Sequence, residues 1–291
     1  MAATLPRRMP TLARSLTASA APRIPLLSRL RIANDAEAMS SAGFAVGAGF
    51  NIGGVAIEMD APGGHNSWAW KDGVGSSKVD CDGIATEVEG FHIFGQSLDY
   101  TRTPPHPNQA CALYSIIVST PDLQRTVDAF STSLGAPRTL SRPSPDISMA
   151  FFQLGSPSGP VIVEVVAPST PGTAIELPAE YGGEALSITN DTAMHIVADR
   201  DAAAAIVGIV VVAPTLDHLP TVLGEGCVGE ARPATRAQGR MIAPVRHGQL
   251  TSPLGRGVSL AFITPPDHAA LQARAKRGGG VGLSSVLSIA D

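Results

Sequence analysis

A single carboxylate lies inside an otherwise aliphatic run, Val161-Ile162-Val163-Glu164-Val165-Val166. Taking an ionised carboxylate out of water is expensive unless the group is paired, hydrogen-bonded or put to use. Glu164 is therefore expected to face water, to pair with another group, to hold a metal ion, or to accept a proton from a substrate. The segment His65-Asn66-Ser67-Trp68-Ala69-Trp70 alternates as a strand does, with Trp68 and Trp70 on one face and His65 on the other. His65, Trp68 and Trp70 form a candidate substrate-binding group, because aromatic rings take flat ligands. A place in the core is the competing expectation for the tryptophans. His92, in Phe91-His92-Ile93-Phe94, and His195, in Met194-His195-Ile196, are lone histidines in apolar runs, where one hydrogen bond often satisfies the ring.

Other motifs fail on inspection. Gly155-Ser156-Pro157-Ser158-Gly159 has proline where a nucleophile elbow needs serine. Gly278-Gly279-Gly280-Val281-Gly282 lacks the lysine and preceding strand of a phosphate loop. Asp80-Cys81-Asp82-Gly83 lacks the later ligands of a calcium loop. Cys81, Cys111 and Cys227 are widely spaced and form no C-x-x-C pair, so a disulfide framework or structural zinc is not expected.

The elements that must position these residues read as a mixed α+β chain. It has 291 residues, with 44% hydrophobic, 16% charged and only 4% aromatic residues. The core must therefore be built mainly from Val, Ile, Leu and Ala. A net charge of -4 and the absence of a basic patch argue against nucleic acid. No apolar run reaches the roughly twenty residues of a membrane span. Residues 1–33 contain no acid but six arginines, with serines and threonines among Ala and Leu, the composition of a mitochondrial or plastid transit peptide. The alternative is an ordinary basic tail on a cytoplasmic protein.

The clearest unit spans 110–168. Leu113–Ser119 reads as a strand, and Thr120-Pro121 caps and opens a helix. Its stripe is Leu123, Val127, Phe130 and Leu134, and Gly135 ends it. Ala150–Leu154 and Val161–Ala167 read as the closing strands. A second unit at 190–265 repeats the break, Val212-Ala213-Pro214-Thr215-Leu216-Asp217 against Val118-Ser119-Thr120-Pro121-Asp122-Leu123, with Pro220 expected to kink its helical turn. Residues 34–98 echo the pattern in part, with a helix over 34–43, short strands at Phe44–Val46 and Val55–Ile57, and a loop over 73–89. Residues 99–109 read as an irregular linker and 266–291 as a helical, then Gly/Ser-rich tail. Such repetition predicts paired modules rather than one continuous sheet.

Strand, Pro-Asp-Leu turn, helix ending in Leu-Gly, and a Glu-bearing last strand together resemble the glyoxalase-like domains of the vicinal oxygen chelate superfamily (glyoxalase/bleomycin resistance/extradiol dioxygenase). The resemblance is strongest at 113–168. It implies repeated βαβββ modules whose half-open mixed sheets cradle a small ligand. Many members hold a divalent ion (zinc, nickel, manganese or iron) on first and last strands. Carried over, Glu164 matches the last-strand ligand and catalytic glutamate, and His92 the equivalent place in the N-terminal module. Ser115 falls at the first-strand position and joins the substrate-binding candidates. Gly208 and Ala261 fill the corresponding C-terminal positions and supply no ligand. The resemblance implies a lyase or isomerase acting on a carbonyl or enediolate, with Glu164 as base or metal ligand. The alternative is a metal-free small-molecule binding or sequestering protein. A small-molecule ligand and a homodimer are the expected partners.

Overall fold

The computed structural model describes residues 25–32, 36–47, 49–59, 66–71, 77–89, 105–135, 138–143, 147–170, 203–234, 239–246 and 258–267. The central module opens with a strand rich in β-branched residues at Ala112–Ser119, where Ile116, Ile117 and Val118 favour the extended chain. In chain order this strand is β7; among the described residues six shorter strands precede it. They are β1 (Leu26–Ile32), β2 (Phe50–Ile52), β3 (Val55–Met59), β4 (Ser67–Lys71), β5 (Ser77–Cys81) and β6 (Ile84–Glu89), with helix α1 at Ala36–Ser41. After β7 come α2 (Leu123–Leu134), β8 (Arg138–Pro143), β9 (Ile147–Ser156) and β10 (Gly159–Pro168). Then follow β11 (Ala205–Val212), α3 (Leu219–Leu223), β12 (Arg232–Pro233), β13 (Met241–Pro244) and β14 (Ser259–Ile263).

Asp122, rather than Thr120, caps α2. It is extended at φ -136°, and its carboxylate accepts from Arg125 N at 3.0 Å. Thr120 lies two residues before the cap; its Oγ1 accepts from Asp122 N at 3.2 Å and from Thr126 Oγ1 at 2.7 Å. Gly135 closes the helix in the left-handed region at φ 61°. Val127, Phe130 and Leu134 are buried beneath α2, and the Phe130 ring stands 5.4 Å from those of Trp68 and Phe152.

Strand β10 returns parallel to β7, with β9 antiparallel to β10 and β8 antiparallel to β9. The C-terminal module repeats this order: β14 lies parallel to β11, β13 pairs β14, and β12 pairs β13. Pro220 occupies the first turn of α3, where a missing N–H costs nothing, so it starts that helix instead of kinking it. The two modules join through antiparallel β7 and β11. The pairing slips by one residue at Tyr114 and again at Val207, two bulges related by the same local two-fold.

The N-terminal half follows the same plan in reduced form. β3 runs parallel to β1 with β2 beside it, β6 runs parallel to β4 with β5 beside it, and β1 meets β4 antiparallel. Four differences from the expectation stand out. The fold begins at or before Leu26, because Leu27, Leu30 and Ile32 of β1 are fully buried. Residues 44–46 are not a strand; Phe44 packs on Phe50, with ring centroids 4.8 Å apart. Residues 77–89 are not a loop but a hairpin turning on Asp82 (φ 58°) and Gly83 (φ 88°), the Asp-Gly chemistry of a tight turn. Residues 105–110 are structural: buried Asn108 donates to Ala42 O at 2.8 Å, and buried His106 bridges Ala45 and Asn51. The modules also form one 14-stranded sheet, since Leu26 of β1 pairs with Gly155 of β9.

The main core fills one side of this sheet, from Leu27 and Trp70 through Phe130 and Val163 to Phe262. A smaller apolar group lies on the opposite side, and Glu164 belongs there.

Candidate functional site

The smaller face is formed where β10, β7, β11 and β14 run side by side. Ile117, Met149, Val166, Val210, Ala261 and Ile263 are buried on it, with Tyr114 and Phe151 partly exposed against them. Glu164 pairs in register with Ile117 on β7 and Phe151 on β9, and so projects from this face half-buried. The bulge at Tyr114 turns two consecutive residues, Tyr114 and Ser115, to the same side. Ser115, fully buried, donates from Oγ to Glu164 Oε1 at 2.8 Å. That bond orients the carboxylate.

Arg240 enters the same face from the turn before β13. Its guanidinium lies 4.9 Å from the centroid of the Tyr114 ring, and Nη1 donates to Thr264 O at 2.8 Å. Burial pushes the Tyr114 hydroxyl above its ordinary range; Arg240 opposes that shift and Glu164 adds to it. Burial also pulls Arg240 below its ordinary value, opposed by Tyr114. Tyr114, Glu164 and Arg240 thus share one electrostatic neighbourhood. Neither Tyr114 nor Arg240 stood out in the sequence. A bulge leaves no local signature, and Arg240 acts through a strand more than a hundred residues away.

Of the sequence candidates, Ser115 and Glu164 are brought together. Trp68 and Trp70 are 2% and 0% exposed and pack edge-on in the main core, at 5.3 Å, on the side of the sheet away from Glu164. Trp68 Nε1 donates to Thr86 Oγ1 at 2.7 Å. They are core residues here, packed with Phe130 and the rest of the main core. His65, His92 and His195 lie outside the described residues.

The local two-fold sets Gly208 opposite the role of Ser115, and Ala261 opposite the role of Glu164. A Cβ on Gly208 would meet Ile117 Cδ1 at 3.0 Å, a tight contact that requires the Ile117 side chain to shift by a few tenths of an ångström. One carboxylate, one hydroxyl, a bare backbone and a methyl do not make a divalent-metal site. Among the described residues no group of three His, Cys, Asp or Glu side chains could hold an ion. The described residues of this face do not by themselves fit the expected metal; His92, its other expected ligand, lies outside them.

The N-terminal half shows the same positions put to another use. β1 carries the equivalent bulge at Ser28, which makes Arg29 the counterpart of Ser115 and Glu58 the counterpart of Glu164. Glu58 accepts from Arg31 at 2.9 Å and from Arg29 at 3.3 Å. Burial raises the Glu58 carboxyl, but the two guanidiniums outweigh it and hold the group below the ordinary carboxylate range.

No family model matches the chain, and no curated protein sequence does. Solved structures are similar to it at low identity. Methylmalonyl-CoA epimerase from Streptomyces coelicolor, in complex with 2-nitronate-propionyl-CoA, is 15% identical; the overlay covers 54% of this chain and 96% of that one, with a TM-score of 0.36. The Mycobacterium tuberculosis methylmalonyl-CoA epimerase is 16% identical over 62% of this chain and 97% of its own, at a TM-score of 0.35. A mutant 4-hydroxymandelate synthase from Streptomyces coelicolor is 12% identical over 92% of this chain and 97% of its own, at 0.47. The architecture is read from the chain's own strand order, in which each complete module places its last strand parallel to its first. It is an α+β arrangement, the plan of repeated βαβββ modules that the resemblance to glyoxalase-like domains implies, in two complete modules and two that are shorter among the described residues.

Proposed function

We propose that the Glu164 face binds a small carbonyl compound and that Glu164 takes a proton from the carbon beside the carbonyl. The observation that carries this reading is a half-buried carboxylate on an apolar face, held in place by the Ser115 hydroxyl at 2.8 Å. In the step, the Glu164 carboxylate becomes the acid and the C–H electron pair moves into the C–C=O unit as an enolate. Return of a proton to that carbon, or loss of a leaving group next to it, gives an isomerase or a lyase. The described donors of this face do not make a divalent-metal site, so the chain's own groups carry the step. Charge on the enolate oxygen is met by polar and cationic groups of the chain. The absence of ligands at Gly208 and Ala261 also supports the second reading, a protein that binds such a compound without converting it. Delivery to a mitochondrion or plastid belongs to the proposal through the acid-free, arginine-rich N-terminus.

The test is hydrogen exchange in D2O. The protein is mixed with 2-oxobutyrate, 4-oxopentanoate or the neutral amide of each, and the proton NMR signals beside the ketone are followed. A proton-accepting Glu164 predicts exchange above background with at least one probe. Glu164→Gln lowers it about 100-fold or more, within the range for loss of a general base. Saturable line broadening without exchange identifies the binding-only reading. Neither exchange nor broadening with any of the four probes sinks both.

A further inference from the structure

Building on that reading of Glu164, we infer that the ligand carries an anionic group, a carboxylate in the simplest form, and that Arg240 binds it. Arg240 follows Gly239, whose φ of 72° turns the chain into β13. Two contacts then fix the side chain: the Thr264 carbonyl at 2.8 Å and the Tyr114 ring 4.9 Å below the guanidinium. A guanidinium has five N–H donors in one plane. The ring lies against the guanidinium and Thr264 takes one Nη1 donor, which leaves further N–H donors for the two oxygens of a carboxylate.

The position of Arg240 gives the face a polarity. Arg232 of β12 pairs with Ile242, so it emerges on the same side, and both cations lie toward the β12–β13 edge. Glu164 lies across Tyr114 on β10 and acts on that ring electrostatically, as Arg240 does. A ligand with a carbonyl at one end and a carboxylate at the other fits one way round. Its acidic C–H meets Glu164, its anionic end meets Arg240, and the Tyr114 and Phe151 rings flank the middle. The reverse placement sets two carboxylates together. Burial already works against the charge on Arg240, and an anion in contact offsets that cost.

The experiment measures dissociation constants for 2-oxobutyrate and 4-oxopentanoate against their amides, by NMR titration of the intact protein. The expected result is that an acid binds at least ten times tighter than its amide, and that added salt weakens the acid alone. Arg240→Gln raises the constant of the acid ten-fold or more and leaves that of the amide within two-fold. Arg240→Lys restores part of the loss, because it returns a charge without the fork. Its thermal melt also separates ligand loss from unfolding caused by the missing Thr264 contact. Equal binding of acid and amide overturns the assignment, and so does an equal loss for both in Arg240→Gln. Exchange that vanishes in Glu164→Gln beside a flat acid-to-amide ratio overturns the anion site and leaves the base in place. The opposite pattern, acid preference without exchange, keeps the anion site and removes the base.

Discussion

Glu164 and Glu58 occupy the same place in two modules, and their neighbours decide what each can do. Two arginines pair with Glu58, whereas the Ser115 hydroxyl donates to Glu164. His106 is the other residue whose protonation state the structure sets. Ala45 N donates to Nδ1 at 3.1 Å and Nε2–H donates to Asn51 O at 2.8 Å, so the ring is held neutral. Burial lowers its pKa, and the Asn51 contact only partly offsets this. A histidine whose folded pKa is depressed gives its full stability above the unfolded value of about 6.5. That stability is lost as pH falls from there toward the folded pKa, by at most about 1.4 kcal/mol per pH unit. Urea unfolding at pH 7.5 and 5.5 should show the loss, and His106→Gln should flatten it. An unchanged slope in the variant assigns the loss elsewhere.

The elements were legible where one strong pattern acted alone. The stripe and glycine stop of α2, and the aliphatic runs of β10 and β11, are visible without any partner. The hairpin of β5 and β6 was not, because its strands are short and polar and its Asp-Gly turn resembled a failed calcium loop. That turn works as a latch. Asp82 pairs with Arg125 Nε at 2.6 Å and accepts from Thr126 Oγ1 at the start of α2, while its carbonyl accepts from Ala204 N at 2.7 Å. Asp82→Asn keeps the turn conformation but removes the charge, at a cost of about 1–3 kcal/mol. Gly83→Ala adds a Cβ that overlaps Ala203 at a φ of 88° and should cost at least as much. Chemical denaturation measures both, and wild-type stability in either variant removes the latch from the account.

At the scale of the whole molecule, the modular plan was legible and its N-terminal start was not. β1 carries arginines at alternating positions, so composition groups it with the basic leader although its other face is core. The strand pairs with β3, β4 and β9, which makes it the seam between the halves. A chain beginning at Pro25 should therefore fold, and one beginning at Ala33 should not, as circular dichroism and gel filtration would report. A processed native protein should likewise begin before Leu26; an N-terminus at residue 34 contradicts this fold. Because the plan repeats, the molecule also contains its own control for the candidate site. The most direct test places Glu164→Gln beside Glu58→Gln in the D2O exchange experiment with the same four probes. With Glu164 as the proton acceptor, exchange is lost in Glu164→Gln and unchanged in Glu58→Gln. Exchange that survives Glu164→Gln, or that falls equally in both, contradicts that role.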